Sequence, residues 1–328
     1  SLQELGPGWE SYVEDKIEEV IFYHQQKNPL VLNFSRPVVQ MVSREKLDNW
    51  LLQQAVAAGA RFYDGCQVQE VVEDGKGVRV RCMDGSSYRA NFLVGADGAR
   101  SLVRKSLGFA VECLPGIALA AEVGVDGSFL ASYRGRIYLS YGDIPGGYAW
   151  IFPKGAYLSI GIGSFSRRIK GLKSYFQRFC REMGLKLPEE TRCRGAVIPA
   201  ANGRAGVLHS RRALLAGDAA GLVDPFTGEG ISYALRSGRL AAAAILNSAG
   251  EPGLLAAYTH RINEELLAPL RHASWIARIV YRMTPLVHRL VMAEPGIARR
   301  LVQVLSGQDS YEKLWQHLAE RHAIFRRA

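Results

Sequence analysis

The sequence predicts an α/β protein in which a mostly parallel sheet is interleaved with an antiparallel β-sheet and followed by helices. Three observations carry that prediction. Two short apolar runs, Phe92-Leu93-Val94 and Ala213-Leu214-Leu215-Ala216, each stop at a glycine–acid junction: Gly95-Ala96-Asp97-Gly98 and Gly217-Asp218. Wholly apolar runs of this length are strands buried on both faces, and open parallel sheets bind ligands beyond the carboxyl ends of such strands. Between the two runs, segments 117–125, 132–139, 147–153 and 157–162 alternate in the manner of antiparallel strands. Beyond Glu251 the pattern turns helical, punctuated by Pro269, Pro285 and Pro295. Taken together, the segments predict a parallel-sheet domain from 38–112 and 206–250, a β domain from 1–37 and 113–205, and a helical region from 251–328.

The remaining elements follow in order. Residues 1–16 predict a loop and a short helix, and 17–25 and 30–34 two strands around an Asn28-Pro29 turn. Ser43 is placed to cap a helix whose apolar positions are Leu47, Trp50, Leu51, Ala55 and Ala58, with Gly59 as its terminator. Strands are expected around Phe62, at 68–72 and at 78–82, with Asp84-Gly85 as a hairpin turn. A helix near 168–184 leads to a strand near 192–198, and another helix opens at Gly228-Glu229-Gly230.

Composition narrows the class. The chain has 328 residues, 48% hydrophobic and 22% charged, more than one core usually spans. No apolar stretch reaches the length of a membrane span, and the first thirty residues lack a secretory pattern, so a cytoplasmic protein is expected. Cys66, Cys82, Cys113, Cys180 and Cys193 are odd in number and lack CxxC spacing. They predict a reducing compartment, with neither a disulfide framework nor a metal site. The net charge of +10 is concentrated late, with Arg271, Arg278, Arg282, Arg289, Arg299 and Arg300 among apolar residues. An anionic membrane surface or an acidic protein suits that pattern, as do solvated arginines on packed helices. Nucleic acid is set aside because no motif for it is present.

The segment 213–238 carries the chemistry. A strand ends at Asp218, an irregular loop through Pro225 follows, and Gly228 and Gly230 let backbone N–H groups approach a ligand at a helix amino end. The acid can accept from sugar-type hydroxyls, while the helix end stabilises negative charge on a ring or phosphate. A second segment is Gly147-Tyr148-Ala149-Trp150-Ile151-Phe152-Pro153, followed by Gly161-Ile162-Gly163. On a strand, Tyr148, Trp150 and Phe152 project from one face as an apolar wall.

With these motifs in their order, the chain resembles the p-hydroxybenzoate hydroxylase-like FAD-binding fold, and within it the geranylgeranyl reductase family. That resemblance implies that Gly217 and Asp218 hold the flavin ribityl chain and that Asp97 shapes the groove near the pyrophosphate and a passing nicotinamide nucleotide. It implies that Arg44 lies close to FAD, Pro225 against the flavin edge, and the N–H groups of Ile231 and Ser232 toward the pyrimidine ring. Tyr148, Trp150, Phe152 and Pro153 would line a channel for a polyisoprenoid chain. The family begins with a strand, a Gly-x-Gly-x-x-Gly turn and a helix, and this pattern does not occur here. Gly6-Pro7-Gly8 follows no strand, and Gly161-Ile162-Gly163 already belongs to the aromatic signature. A longer native chain is therefore expected, with residues 1–328 alone binding FAD poorly.

The expected activity is FAD-dependent reduction of isoprenoid double bonds in a prenyl-lipid substrate. NAD(P)H or a reduced ferredoxin-like acidic carrier would supply electrons, with peripheral contact to a membrane. The sequence names no proton donor; Tyr148 is a candidate only in that a phenol there could face the channel, and the seven histidines read as structural or surface groups. A flavin monooxygenase or halogenase of the same fold is the first alternative, although halogenases use a lysine and a further tryptophan motif nearer the start. The second alternative is a non-catalytic remnant that binds lipid or a partner.

Overall fold

The computed structural model describes residues 5–188, 190–204, 206–248, 250–251 and 254–326. Residues 1–4 of the expected opening loop and Arg327 of the basic tail lie outside them. The strands are β1 (Val13–Ile17), β2 (Glu19–His24), β3 (Lys27–Asn33), β4 (Val39–Val42), β5 (Val68–Asp74), β6 (Gly77–Cys82), β7 (Ser87–Ala90), β8 (Leu93–Gly95), β9 (Cys113–Gly124), β10 (Arg136–Tyr141), β11 (Gly147–Lys154), β12 (Tyr157–Ser164), β13 (Arg194–Ala201) and β14 (Ala213–Leu215). The helices are α1 (Arg44–Ala57), α2 (Leu102–Ser106), α3 (Gly127–Ala131), α4 (Leu172–Glu182), α5 (Ile231–Asn247), α6 (Ala256–Ile262), α7 (Ala268–Arg282), α8 (Thr284–Ala293), α9 (Gly296–Leu305), α10 (Tyr311–Arg321) and α11 (Ala323–Arg326). The chain divides into two compact units. One gathers Gln53–Leu114 and Ile198–Ser274, the other Pro7–Leu52, Pro115–Val197 and the chain from Trp275 onward.

In the first unit β14 runs parallel to β8, with Leu214 opposite Val94 and Leu215 opposite Gly95. All of β14 is buried, which is why its sequence carries no polar residue. Tyr258 of α6 is buried against it and donates its hydroxyl to the Leu215 carbonyl at 2.6 Å, so the phenol is satisfied. A second, antiparallel sheet of β5, β6 and β7 turns at Gly85, as the Asp84-Gly85 pair predicts.

In the second unit a seven-stranded sheet runs in the order β13-β9-β12-β11-β10-β2-β3, with β10 parallel to β2. One face carries Ala149, Ile151, Leu158, Ile160 and Ile162 into a core closed by Phe176 and Phe179 of α4. A separate core joins Val20, Phe22 and Ile137 to Val38 and Met41 and to Ala298 and Val302 of α9.

Three expectations are corrected. The turn after β2 falls at Gln25-Gln26, both with positive φ, and not at Asn28-Pro29. Pro29 sits inside β3, at the sheet edge, where a missing N–H breaks no inner ladder. Phe62 is exposed and belongs to no strand, so its aromatic β propensity found no sheet to join. Finally, Cys66 and Cys82 form a disulfide that ties the approach to β5 to the end of β6. The odd cysteine count gave no hint of it, because Cys113, Cys180 and Cys193 remain free.

Candidate functional site

The cradle of the first unit is built at the ends of its two parallel strands. Because Gly95 and Leu215 are paired, the acids that follow them, Asp97 and Asp218, emerge at the same sheet edge. A short 3-10 turn, Gly217–Ala220, carries Asp218, and the Gly217 N–H donates to Ser237 Oγ at 2.9 Å, fixing the strand end to α5. The loop beyond is ordered by buried Asp224, whose Oδ1 accepts from the N–H groups of Phe226 and Thr227. Gly228 donates back to the Asp224 carbonyl at 2.9 Å. Pro225 is buried within this loop.

The loop delivers the chain to Gly230, the residue before α5, which offers no side-chain cap to the helix. Any side chain there would begin 3.3 Å from Asp218 Oδ1, so glycine leaves the space between carboxylate and helix end open. An acid that accepts from hydroxyls, beside a helix amino end whose preceding glycine supplies no side chain, matches the ribityl and ring portions of a flavin. The residues present fit that group. One expected donor is already engaged, however. The Ser232 N–H and hydroxyl both donate to the Glu229 carboxylate, at 2.8 and 2.6 Å. Ile231, at the first helical position, is exposed. Tyr233 stays protonated, because burial and the Asp224 and Glu229 charges push its hydroxyl well above the ordinary phenol range.

Asp97 serves its own helix. Its carboxylate accepts from Ser101 Oγ at 2.6 Å and from the N–H groups of Leu102 and Val103 at 2.6 and 3.0 Å, closing the first turn of α2. Three donors bring α2 onto the sheet edge irrespective of any ligand.

The second unit holds the aromatic row and Arg44. Tyr148, Trp150 and Phe152 share one face of β11, with centroid separations of 5.8 and 6.0 Å along the row. All three are half-buried, whereas Ala149, Ile151 and Pro153 of the opposite face are buried. Pro153 thus shares the strand but not the wall. Pairing explains the glycines of the signature: Trp150 lies opposite Gly161 and Tyr148 opposite Gly163. A Cβ on Gly161 would stand 2.1 Å from the indole, so only glycine lets the ring lie flat across β12. Lys154 extends the row, and burial lowers its pKa against the opposing pull of Glu122 and Glu14. Arg44 opens α1 and chelates Asp48 one turn later, at 2.9–3.2 Å. Among the described residues, sequence reading also missed a cluster of His24, Tyr141 and His288 in this unit. Its Tyr141–His288 hydrogen bond spans 147 positions, and no local spacing announces such a contact.

Comparison with known proteins agrees with this architecture. The FAD binding domain family model matches residues 9–265. A digeranylgeranylglycerophospholipid reductase of Methanopyrus kandleri is 30% identical over 75% of this chain and 68% of its own length. A menaquinone reductase of Mycobacterium tuberculosis is 33% identical over 61% of this chain and 52% of its own length. The chain therefore spans about half to two thirds of these relatives. A geranylgeranyl bacteriochlorophyll reductase-like structure from Thermoplasma acidophilum superposes with a TM-score of 0.74 at 22% identity, covering 96% of this chain and 82% of that one. The chain belongs to the geranylgeranyl reductase family of FAD-binding oxidoreductases.

Proposed function

We propose that this chain belongs to a flavin-dependent reductase that saturates carbon–carbon double bonds of an isoprenoid chain. The aromatic row carries the reading: three rings on one strand face, with glycines opposite two of them, make a flat apolar surface suited to a polyprenyl chain. Bound FAD supplies the hydride. Asp218 and the amino end of α5 hold and orient the flavin, and the Glu229 carboxylate keeps the loop before that helix closed on Ser232. Tyr148, Trp150 and Phe152 position the alkene and exclude water. An unactivated double bond gives little electronic help, so positioning must supply much of the rate.

Electrons come from NAD(P)H or a small acidic ferredoxin-like carrier, which the net positive charge would favour. Contact with an anionic membrane is part of the same proposal. It is supported by exposed Leu286 and Met292 of α8 beside exposed Arg282 and Arg289. No helix among the described residues is long and apolar enough to cross a membrane.

The test is anaerobic incubation of the FAD-loaded, reduced natural protein with geranylgeranyl diphosphate, followed by product mass. Gain of two hydrogens per double bond is expected. A product formed only with oxygen, or only with halide and oxygen, would overturn the reading in favour of a monooxygenase or halogenase.

A further inference from the structure

Beyond the aromatic row, the same sheet face continues into a polar cluster. Tyr148 on β11 is paired with Tyr141 on β10, and Tyr141 is paired with His24 on β2. Directly paired residues project to the same face of a sheet, so the three form one lateral row. His288 of α8 completes the group. Its Nδ1 lies 3.0 Å from Tyr141 Oη, and its ring stacks on His24 at 4.3 Å and 13°. The Asp143 charge acts on His24, and among the described residues the buried Nε2 of His24 and Oδ2 of Asp143 have no hydrogen-bond partner. The packing is close: a Cβ on Gly142 would stand 2.8 Å from the His24 ring.

We propose that Tyr141, backed by His288 and His24, delivers the proton to the carbon skeleton that lies along Tyr148, Trp150 and Phe152. This inference rests on the alkene-reductase reading above and names the acid which that reading leaves open. The balance is simple. The π bond breaks, one carbon takes the hydride and its electron pair from reduced FAD, and the other takes the Tyr141 hydroxyl proton. As that O–H bond breaks, protonated His288 returns a proton from Nδ1 to the tyrosine oxygen, and water later reprotonates His288.

The arrangement suits each step. Burial pushes the Tyr141 hydroxyl up to about 12, so it remains protonated at neutral pH and is a poor acid unless its oxygen is reprotonated as it reacts. His288 supplies that proton. Burial and the neighbouring His24 both hold its pKa below the ordinary imidazole value, which makes its protonated form a stronger acid. The groups facing it are Tyr141 from β10 and His24 from β2, with Asp143 partly offsetting the burial of His24. His24 and His288 are positioning residues, and two stacked imidazoles do not readily hold two charges.

The experiment uses the FAD-loaded natural protein with geranylgeranyl diphosphate, reduced anaerobically and followed through one turnover. Tyr141→Phe is expected to slow alkane formation by about a hundredfold or more, with unchanged flavin absorbance and unchanged quenching of tryptophan fluorescence by the prenyl probe. His288→Gln should abolish the rise in rate as pH falls through the His288 pKa. A second readout needs no turnover: in His24→Ala, NMR should show the His288 ring titrating at higher pH than in the parent. A Tyr141→Phe protein that turns over within about twofold of the parent, with the same pH profile, overturns the proposal and leaves the reductase reading intact. A parent protein that binds the probe but never reduces it overturns both.

Discussion

At Gly161 one missing carbon decides where an indole can lie. The ring of Trp150 occupies the space that any larger residue would need. Gly161→Ala is therefore expected to destabilise the fold by about 1–3 kcal/mol and to displace the Trp150 ring. Denaturant unfolding and the tryptophan emission spectrum report the two effects. Asp218→Ala, at the strand end facing Gly230, is expected to weaken FAD binding by about tenfold to a hundredfold, the loss of a hydrogen bond to a charged group. Flavin titration of the natural protein measures it, and an unchanged affinity would remove Asp218 from the ribityl contact. What was legible at this scale was local structure, the strand end at Gly217-Asp218 and the one-faced row of rings. Glu229 was not legible as a partner of Ser232. A carboxylate three residues upstream can face solvent, a ligand or the helix end, and only the fold distinguishes them.

Among the elements, those with strong period or strong punctuation were read from sequence with small errors in their ends. β11 and β12 emerge from alternation, α5 from the glycines before it, and α1 from its apolar spacing. The failures have local causes. Asn28-Pro29 carries the stronger turn signal, yet Gln25-Gln26 makes the turn, since the pairing of His24 with Lys27 sets the register of β2 and β3. The Cys66–Cys82 bridge depends on β5 and β6 pairing, with Val68 opposite Cys82. Closing a loop of sequence separation 16 should stabilise the protein by about 3 kcal/mol. Thermal unfolding with and without reductant is expected to show a lower midpoint when the bridge is opened. Equal midpoints would mean that the hairpin's other contacts already hold it.

For the whole molecule, interleaving two kinds of sheet along one chain was visible in the sequence because the parallel strands are short and wholly apolar and the antiparallel ones alternate. The division of the late helices between the two units at Trp275 was not, because α7 is amphipathic throughout and no composition shift marks that point. Arginines on α7 and α8 such as Arg278, Arg282 and Arg289 are exposed. If they meet anionic lipid, binding to vesicles rich in phosphatidylglycerol should fall steeply with added salt, and Arg282→Glu with Arg289→Glu should abolish it. Salt-independent binding would point to the apolar residues alone.

We propose that the rings of β11 hold an isoprenoid chain for reduction. The most direct test is the mass of the product formed from geranylgeranyl diphosphate by the reduced, FAD-loaded natural protein without oxygen, compared with Trp150→Ala. A product richer by two hydrogens per double bond is expected from the parent, and little or none from the variant. Equal product from both, or none from the parent until oxygen is admitted, would contradict it.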